Sequence, residues 1–559
     1  MQLSRGLFLF AAAFLAGSCV SSRPTGGSDR SPPRTIPEMT GYRETSRYAD
    51  VRAFLSSMQK ISASLALSSI GRTSEGREIP YVIASRPLVT TPAAAKALGR
   101  PIVYVQANIH GGEVEGKDAL LALVRDLVLS PNPNVLDSLV LIAVPIYNAD
   151  GNERFGPEAE NRTEQNGPAS VGRRANGMNL DLNRDYVKAE APETRASLAM
   201  FNTWDPDVFV DLHTTNGSFH GYALTYSPSL SPAAVFGGVY ARDSLLPVLR
   251  ERMRVRHGFA TFDYGNFISD DTVSRGWATY DARPRFGTNY YGIRGRIGIL
   301  SEAYSHDPLE KRIKSTYAFV AELLSLTAER AGTIRSLTNR ASAQPLAWGR
   351  ATDSAQMIPI RSELIPSGVK GPVLAEEMES TGDTTVSEPG LPRGKRRTGR
   401  FKAVEMPIFD RFVPTLERLP PAAYVLGPAD TAAVRVLRLH GIVVERSDTA
   451  WAATRGESFA LDSVINATRP FQGHRETRLK GRWERAPEII QAGSWIVSTA
   501  QPLGALVVYL LEPESDDGLT AWNFFDRGLR RGGKFPVRRI LDLSRRGRVN
   551  TRRSTAAAL

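Results

Sequence analysis

An α/β fold followed by a β-rich region is what this sequence predicts, and three observations predict it. From residue 41 to about 338, apolar runs of strand length alternate with stretches of helical period. Beyond Arg340, Pro and Gly become frequent, the helical period fades and short β-prone runs take over. At 559 residues the chain also exceeds what one hydrophobic core usually serves. The expected organisation is a leader over 1–19, a flexible tether over 20–40, an α/β domain over 41–338, a β-rich domain over 339–526 and a basic tail over 527–559.

The α/β assignment rests on particular segments. Strands are expected at Ile79–Ala84, Ile102–Ala107, Leu139–Pro145, Val208–Leu212, Tyr222–Tyr226 and Ile297–Leu300. Helices are expected at Tyr48–Leu67, Glu115–Leu129, Glu193–Thr203, Pro232–His257 and Pro308–Asn339, the last with apolar residues at helical spacing. In the second region, Ala422–Leu426, Gly441–Val444, Ser494–Val497 and Ala505–Leu511 read as strands, and Glu379–Arg400 as an exposed loop. Trp522, Phe524 and Phe525 read as core packing rather than as a docking loop.

Bulk composition, 42% hydrophobic and 23% charged, is that of a globular chain. Long apolar runs occur only at the N-terminus, so no internal membrane span is expected. There, one Arg precedes an apolar core, Leu7 to Ala16, followed by small residues, the layout of a secretory signal. Cys19, the single cysteine, ends Ala16-Gly17-Ser18-Cys19, which resembles a bacterial lipoprotein box; a lipid tether to a membrane and ordinary cleavage are the two readings. Residues 21–40, rich in Ser, Pro and Gly, read as the tether. The net charge of +12 is concentrated at the other end: residues 527–559 hold eleven Lys or Arg against Asp542, leaving about +2 elsewhere. No nucleic-acid role is expected from a body so nearly neutral.

The chemistry is expected at strand ends. Strand Ile102–Ala107 leads into Asn-Ile-His-Gly-Gly-Glu and then a helix, and the two glycines permit a turn tight enough to bring His110 and Glu113 to one point. Strand Val208–Leu212 delivers His213, and Ile297–Leu300 delivers Glu302. Two nitrogens and one carboxylate oxygen, with a position left for water, are the ligand set of a catalytic zinc rather than a structural one. A fourth strand leads into PIYNADGNERFG, a loop suited to the rim of a cleft. His220 and His306 are read as residues behind the ligands or on the rim, and His257, His440 and His474 as structural or surface groups. In GRRANGMNLDLNRDYVK, Asn183 and Arg184 suit a bidentate grip on a carboxylate, or else form a salt bridge and a turn. Asp181 is either a surface acid or the acceptor for a ligating histidine's second N–H.

HGGE, DLNRD, a strand-borne DLH and a late strand ending in SEAY, in that order, resemble the zinc carboxypeptidase (carboxypeptidase A-like) family over roughly residues 45–335. IGRTSEGREIPYVIAS and the PIYNADG loop are similar to that family's early and middle strands. The resemblance implies a mixed twisted sheet flanked by helices. It implies one zinc ion on His110, Glu113 and His213, with Glu302 as the catalytic base and Asp181 orienting His110. It further implies that Asn183 and Arg184 dock a substrate's terminal carboxylate, that Arg174, favoured over Arg173, meets the oxyanion, and that one of Tyr280, Tyr290 and Tyr291 caps the substrate, with Tyr291 preferred.

The expected activity is hydrolysis of C-terminal peptide bonds outside the cytoplasm, secreted or held at the cell envelope. Asp185 after Asn183-Arg184, the extended motif set and the leader favour a peptidase over a zinc deacylase of the same scaffold. An amidase acting on cell-wall peptides, and a non-catalytic envelope protein binding peptide or glycan, are the other readings; a full ligand set with a candidate base counts against the last. The residue that selects the terminal side chain is expected between Phe262 and Tyr291.

Overall fold

Eight strands form the sheet on which everything else is placed. They are β1 (Leu65–Arg72), β2 (Glu78–Ala84), β3 (Ile102–Ala107), β4 (Val140–Val144), β5 (Val208–Thr214), β6 (Leu224–Pro228), β7 (Thr261–Asp263) and β8 (Ile297–Ala303). The computed structural model describes residues 32–268, 275–348, 356–385, 391, 393–543 and 546–548. Across the sheet the order is β1-β2-β4-β3-β5-β8-β6-β7. The central strands β4, β3, β5 and β8 run parallel to one another, while β1, β2 and β6 bring in antiparallel pairings, so the sheet is mixed.

Both faces of the sheet are buried, which is why its central strands read as continuous apolar runs. Alternate side chains feed two cores. Val103, Val105, Val210, Leu212, Ile297 and Ile299 face helices Tyr48–Ile61, Glu115–Leu129, Leu246–His257 and Leu309–Glu329. Tyr104, Ile142, Val144 and Phe209 face helix Pro192–Trp204, the short helix Gly287–Ile293 and, beyond them, residues of the C-terminal region such as Tyr424, Val508 and Trp522. That second core is continuous from the sheet into the C-terminal region, and the described residues from Pro33 onward form one compact unit.

The C-terminal region is β-rich. A seven-stranded sheet contains the long hairpin Trp451–Asn466/Thr477–Ile490, and a second hairpin, Lys370–Ser380/Lys395–Phe409, extends a four-stranded sheet. The same seven-stranded sheet contains Ala423–Leu426 and Trp495–Ser498, close to the expected strands.

Several elements differ from expectation for physical reasons. Helix Tyr48–Ile61 stops short, and Leu65–Leu67 begins an edge strand instead. Pro308–Asn339 is two helices, broken near Arg330, and Pro232–His257 is helical only from Gly237. Ala505–Leu511 belongs to helix Gly504–Leu511: a run apolar on every side carries no period, and burial on all sides suits a helix as well as a strand. Gly441–Val444 is a turn and loop rather than a strand. Most of the expected loop Glu379–Arg400 on the described residues is hairpin, with strand on both sides of the turn.

Both ends of the folded part reach further than the sequence suggests. Ile36–Thr40, inside the expected tether, forms a helical turn capped by Thr35, and its Glu38 pairs with Arg125 at 2.7 Å. The expected basic tail supplies strand Arg538–Ile540, which pairs with both Ala423–Val425 and Gly456–Glu457, while Phe535 and Val537 are buried. Arg539 spends its charge internally, on Glu512 and Glu457. Residues 1–31, with Cys19, and 549–559 lie outside the described residues. No helix among the described residues is long and apolar enough to cross a membrane.

Candidate active site

Four parallel strands, β3, β4, β5 and β8, end on the same side of the sheet, and the polar residues collect there. After β3, Asn108 takes a left-handed backbone (φ 60°), and its side-chain amide donates to the carbonyls of His110, Gly111 and Glu113 at 3.2, 3.3 and 3.0 Å. One short side chain thus ties the whole turn. The glycines are required by neighbours: a Cβ on Gly111 would lie 2.5 Å from the carbonyl of Arg173, and one on Gly112 would lie 2.7 Å from that of Gly172. Asn148, in the rim loop after β4, buttresses the same turn by donating to the carbonyls of Ile109 and Arg174 at 3.0 and 3.1 Å.

His110, Glu113 and His213 converge, with one ligand atom from each lying within 4.8 Å of the others. Nδ1 of His110 is 2.9 Å from Glu113 Oε1, and Nδ1 of His213 is 3.0 Å from Glu113 Oε2. The far ring nitrogens meet carboxylates. Nε2 of His110 is 3.1 Å from Asp181 Oδ1. Nε2 of His213 is 3.1 Å from Asp211 Oδ2, an approach by charge rather than along a hydrogen-bond direction. Each imidazole is therefore held from behind, with Nδ1 turned to the common point, which is how metal-binding histidines are usually fixed. Two imidazole nitrogens and a carboxylate oxygen, all buried, fit a zinc ion, and among the described residues no other such group occurs.

Charge in the site is tightly balanced. Burial opposes the ionised form of Glu113, but His110 and Arg162 hold its carboxyl well below the usual range; Arg162 lies 3.0 Å from it. Burial likewise opposes a charge on His213, and Asp211 and Glu113 nevertheless hold its pKa well above the ordinary value. Glu302 stands beside His213 in the parallel pairing of β8 with β5. Burial, with the nearby charge of Glu113, pushes the Glu302 carboxyl up to about 8 against the pull of His213 and Arg162.

Around this group lies a cavity of about 120 Å³ whose walls include Arg174, Asn183, Arg184, Tyr264, Tyr280, Phe286 and Thr288. Arg174 donates from Nε to Asp181 at 3.0 Å and approaches Glu113 at 3.4 Å, while neighbouring Arg173 is exposed. Asp181 also accepts the backbone N–H of Asn183 at 2.9 Å, so a single carboxylate sets His110, Arg174 and the Asn183-Arg184 turn. Asn183 Oδ1 accepts the N–H of Gly287 at 3.0 Å, and the Arg184 guanidinium lies 4.1 Å over the ring of Phe286.

One expected residue is elsewhere. Tyr291 is fully buried, stacked on Phe201 with 3.9 Å between ring centroids, and its hydroxyl meets Ser197 at 3.3 Å. Tyr290 is buried too, bonded to His440 at 2.7 Å. Helix Gly287–Ile293 offers the cleft its first residues and turns the two tyrosines into the core. Tyr280, the remaining candidate, lines the cleft, edge-on to Tyr264 and Phe286 at 5.7 and 5.3 Å. His220 and His306 pack against Tyr304 and Phe219, and neither is among the residues lining the cavity. Asp211 and Arg162 are additions. Asp211 was signalled by its place two residues before His213 on one strand face; Arg162 comes from a loop with no local signature.

Residues 51–236 match the family model described as zinc carboxypeptidase. Carboxypeptidase 2 of Trichophyton equinum is 21% identical over 499 residues, 84% of this chain and 81% of the relative. Carboxypeptidase 2 of Trichophyton rubrum is 20% identical over 530 residues, 89% and 87% of the two chains. Carboxypeptidase M of Mus musculus is 30% identical over 210 residues, 35% of this chain and 43% of its own. Among solved structures, a metallo-carboxypeptidase from Burkholderia cenocepacia aligns over 52% of this chain and 71% of its own, with 17% identity and a TM-score of 0.39. Residues 51–236, which include His110, Glu113 and His213, thus resemble the zinc carboxypeptidase family, and with the carboxypeptidase relatives this match supports a zinc peptide hydrolase.

Proposed function

We propose that this protein removes C-terminal residues from peptides, with one zinc ion held by His110, Glu113 and His213. What carries the reading is that Asn183 and Arg184 line the same cavity as the three ligands and Glu302. A cation with a planar fork beside an amide is suited to a terminal carboxylate, and it lies in the cleft where the last peptide bond must lie.

His110 and His213 would bind zinc through Nδ1, since their Nε2 atoms face Asp181 and Asp211, and Glu113 would bind through a carboxylate oxygen. When bound, zinc supplies Lewis acidity towards a carbonyl and towards water. The chain's own residues supply the remainder. Arg184, with Asn183, holds the substrate carboxylate and so fixes which bond reaches the centre. Glu302 takes a proton from the attacking water onto its carboxylate and passes it to the leaving amine. Arg174 offers N–H groups to the negative charge that grows on the carbonyl oxygen. Tyr280 covers the bound residue in place of Tyr291, because Tyr280 lines the cleft and Tyr291 does not.

We further propose export from the cytoplasm, supported by the apolar leader Leu7 to Ala16, with Cys19 as a site for lipid attachment. The discriminating assay sets an N-blocked dipeptide with a free carboxylate against its C-terminal amide and against N-acyl amino acids. Release of the terminal amino acid from the first is expected, with only residual cleavage of the amide and none of the N-acyl amino acids. Turnover confined to N-acyl amino acids would replace the peptidase reading with a deacylase.

A further inference from the structure

The hairpin Trp451–Asn466/Thr477–Ile490 ends in a tight turn that lies against the catalytic cleft. Phe471 and His474 exchange backbone hydrogen bonds at 2.7 and 3.0 Å, leaving Gln472 and Gly473 as the two turn residues. Both have positive φ, 50° for Gln472 and 81° for Gly473. Two-residue turns of that kind favour Asn-Gly or Gly-Gly, because a side chain with a Cβ is strained at positive φ and a long one gains nothing there from the turn itself. A glutamine is thus a poor choice for the turn alone. Its reach has another use: Gln472 Oε1 accepts the backbone N–H of Asp181 at 3.0 Å, across 291 residues of sequence.

The surroundings show two walls of the cleft held by the same tip. On one side, Asp181 begins the turn that carries Asn183 and Arg184, and its carboxylate meets His110 and Arg174. On the other, Glu476 pairs with Arg285 at 2.7 Å, and the Arg285 guanidinium lies 5.3 Å over Phe471. Arg285 immediately precedes Phe286 and Gly287, which touch Arg184 and Asn183. His474 adds a third anchor, 2.9 Å from Glu190.

We infer that Gln472 is a positioning residue for the carboxylate-binding end of the cleft, and that the C-terminal hairpin thereby forms part of the catalytic frame. The inference rests on the reading that Asn183 and Arg184 receive a substrate carboxylate. Gln472 acts through Asp181 and touches no substrate.

Two variants separate this role from simple support of the fold. Gln472→Gly and Gln472→Asn both suit positive φ better than glutamine, so neither should lower the melting temperature, yet the first lacks and the second shortens the side chain that reaches Asp181. In the zinc-loaded full-length chain, each is expected to raise KM for a free-carboxylate dipeptide about three- to tenfold, with kcat changed less than about twofold. Each is also expected to speed hydrogen exchange at the Asp181 amide. A parental KM in both variants, with turnover of the parental protein established, overturns the proposal and leaves the substrate reading standing. Should the parental protein cleave no free-carboxylate peptide, that reading falls, and exchange at Asp181 still decides the contact: parental protection in Gln472→Gly overturns it.

Discussion

Asp211 and His213 share one face of β5, and Asp211 Oδ2 lies 3.1 Å from His213 Nε2. The carboxylate is fully buried, and Gln106 donates to its other oxygen at 3.3 Å. It therefore fixes the ring so that Nδ1 faces Glu113. Asp211→Asn keeps the shape and removes the charge. Zinc affinity is expected to fall about 10- to 100-fold, measured by competition with a chelator of known affinity. Unchanged affinity would mean that strand geometry alone orients the ring.

Glu302→Gln separates holding zinc from moving a proton. Glu302 is not among the three converging ligands, so the variant should bind zinc as the parental protein does. Loss of the carboxylate as proton acceptor should lower kcat by about 10²–10⁴. Metal content and steady-state kinetics on one preparation check both halves, and a parental kcat would remove Glu302 from the reaction.

Arg184→Ala should reduce kcat/KM for free-carboxylate peptides about ten- to a hundredfold, the range for losing charge-assisted hydrogen bonds. Arg184→Lys keeps a charge without the planar fork and should fall between the two. The control is a C-terminal amide, whose residual cleavage should be indifferent to either change. An equal loss on both substrates would show that Arg184 supports the cleft rather than the carboxylate.

The site was more legible than its frame. His110, Glu113, His213 and Glu302 each follow or end a strand of strong β-character, so period and turn chemistry place them before any contact is known. Within helix Gly287–Ile293 the same reasoning fails: Tyr290 and Tyr291 are equally aromatic neighbours of the cleft in sequence, and only the helix's packing against Phe201 and His440 sends them inward. Arg162 and Gln472 meet their partners from loops, across 49 and 291 residues, and no periodicity reports such contacts. Gly504–Leu511 reads equally well as a strand because it is buried on all sides.

Arg285 ties the cleft to the C-terminal region through Asp517, whose carboxylate accepts its backbone N–H at 2.7 Å and its guanidinium at 2.9 and 2.6 Å. Both side chains are almost wholly buried. Asp517→Ala would leave that guanidinium without its main partner in a dry place, at a cost of about 3–5 kcal/mol. Denaturant unfolding should record it, and adding Arg285→Leu should recover part of the loss. A cost below about 1 kcal/mol would show that Glu476 alone suffices for Arg285.

The pair His474–Glu190 predicts how that junction responds to pH. The hydrogen bond His474 donates to Glu190 raises its pKa above the ordinary value, against burial and against Lys188, which lies 3.0 Å from the same carboxylate; Asn523 also holds the ring. Burial opposes the charge of Glu190, but His474 and Lys188 hold its pKa at about 2, so it stays ionised throughout the window in which His474 titrates. A histidine with a raised folded-state pKa contributes stability that is complete below the unfolded value, about 6.5, and is lost as pH rises through the folded value. His474→Gln keeps a donor towards Glu190 and removes the charge. The parental melting temperature should therefore exceed that of the variant most below about pH 6.5 and converge on it as pH rises through the raised folded-state value. A gap that is constant with pH would show that His474 acts through packing on Trp522, 5.4 Å away between ring centroids, rather than through charge.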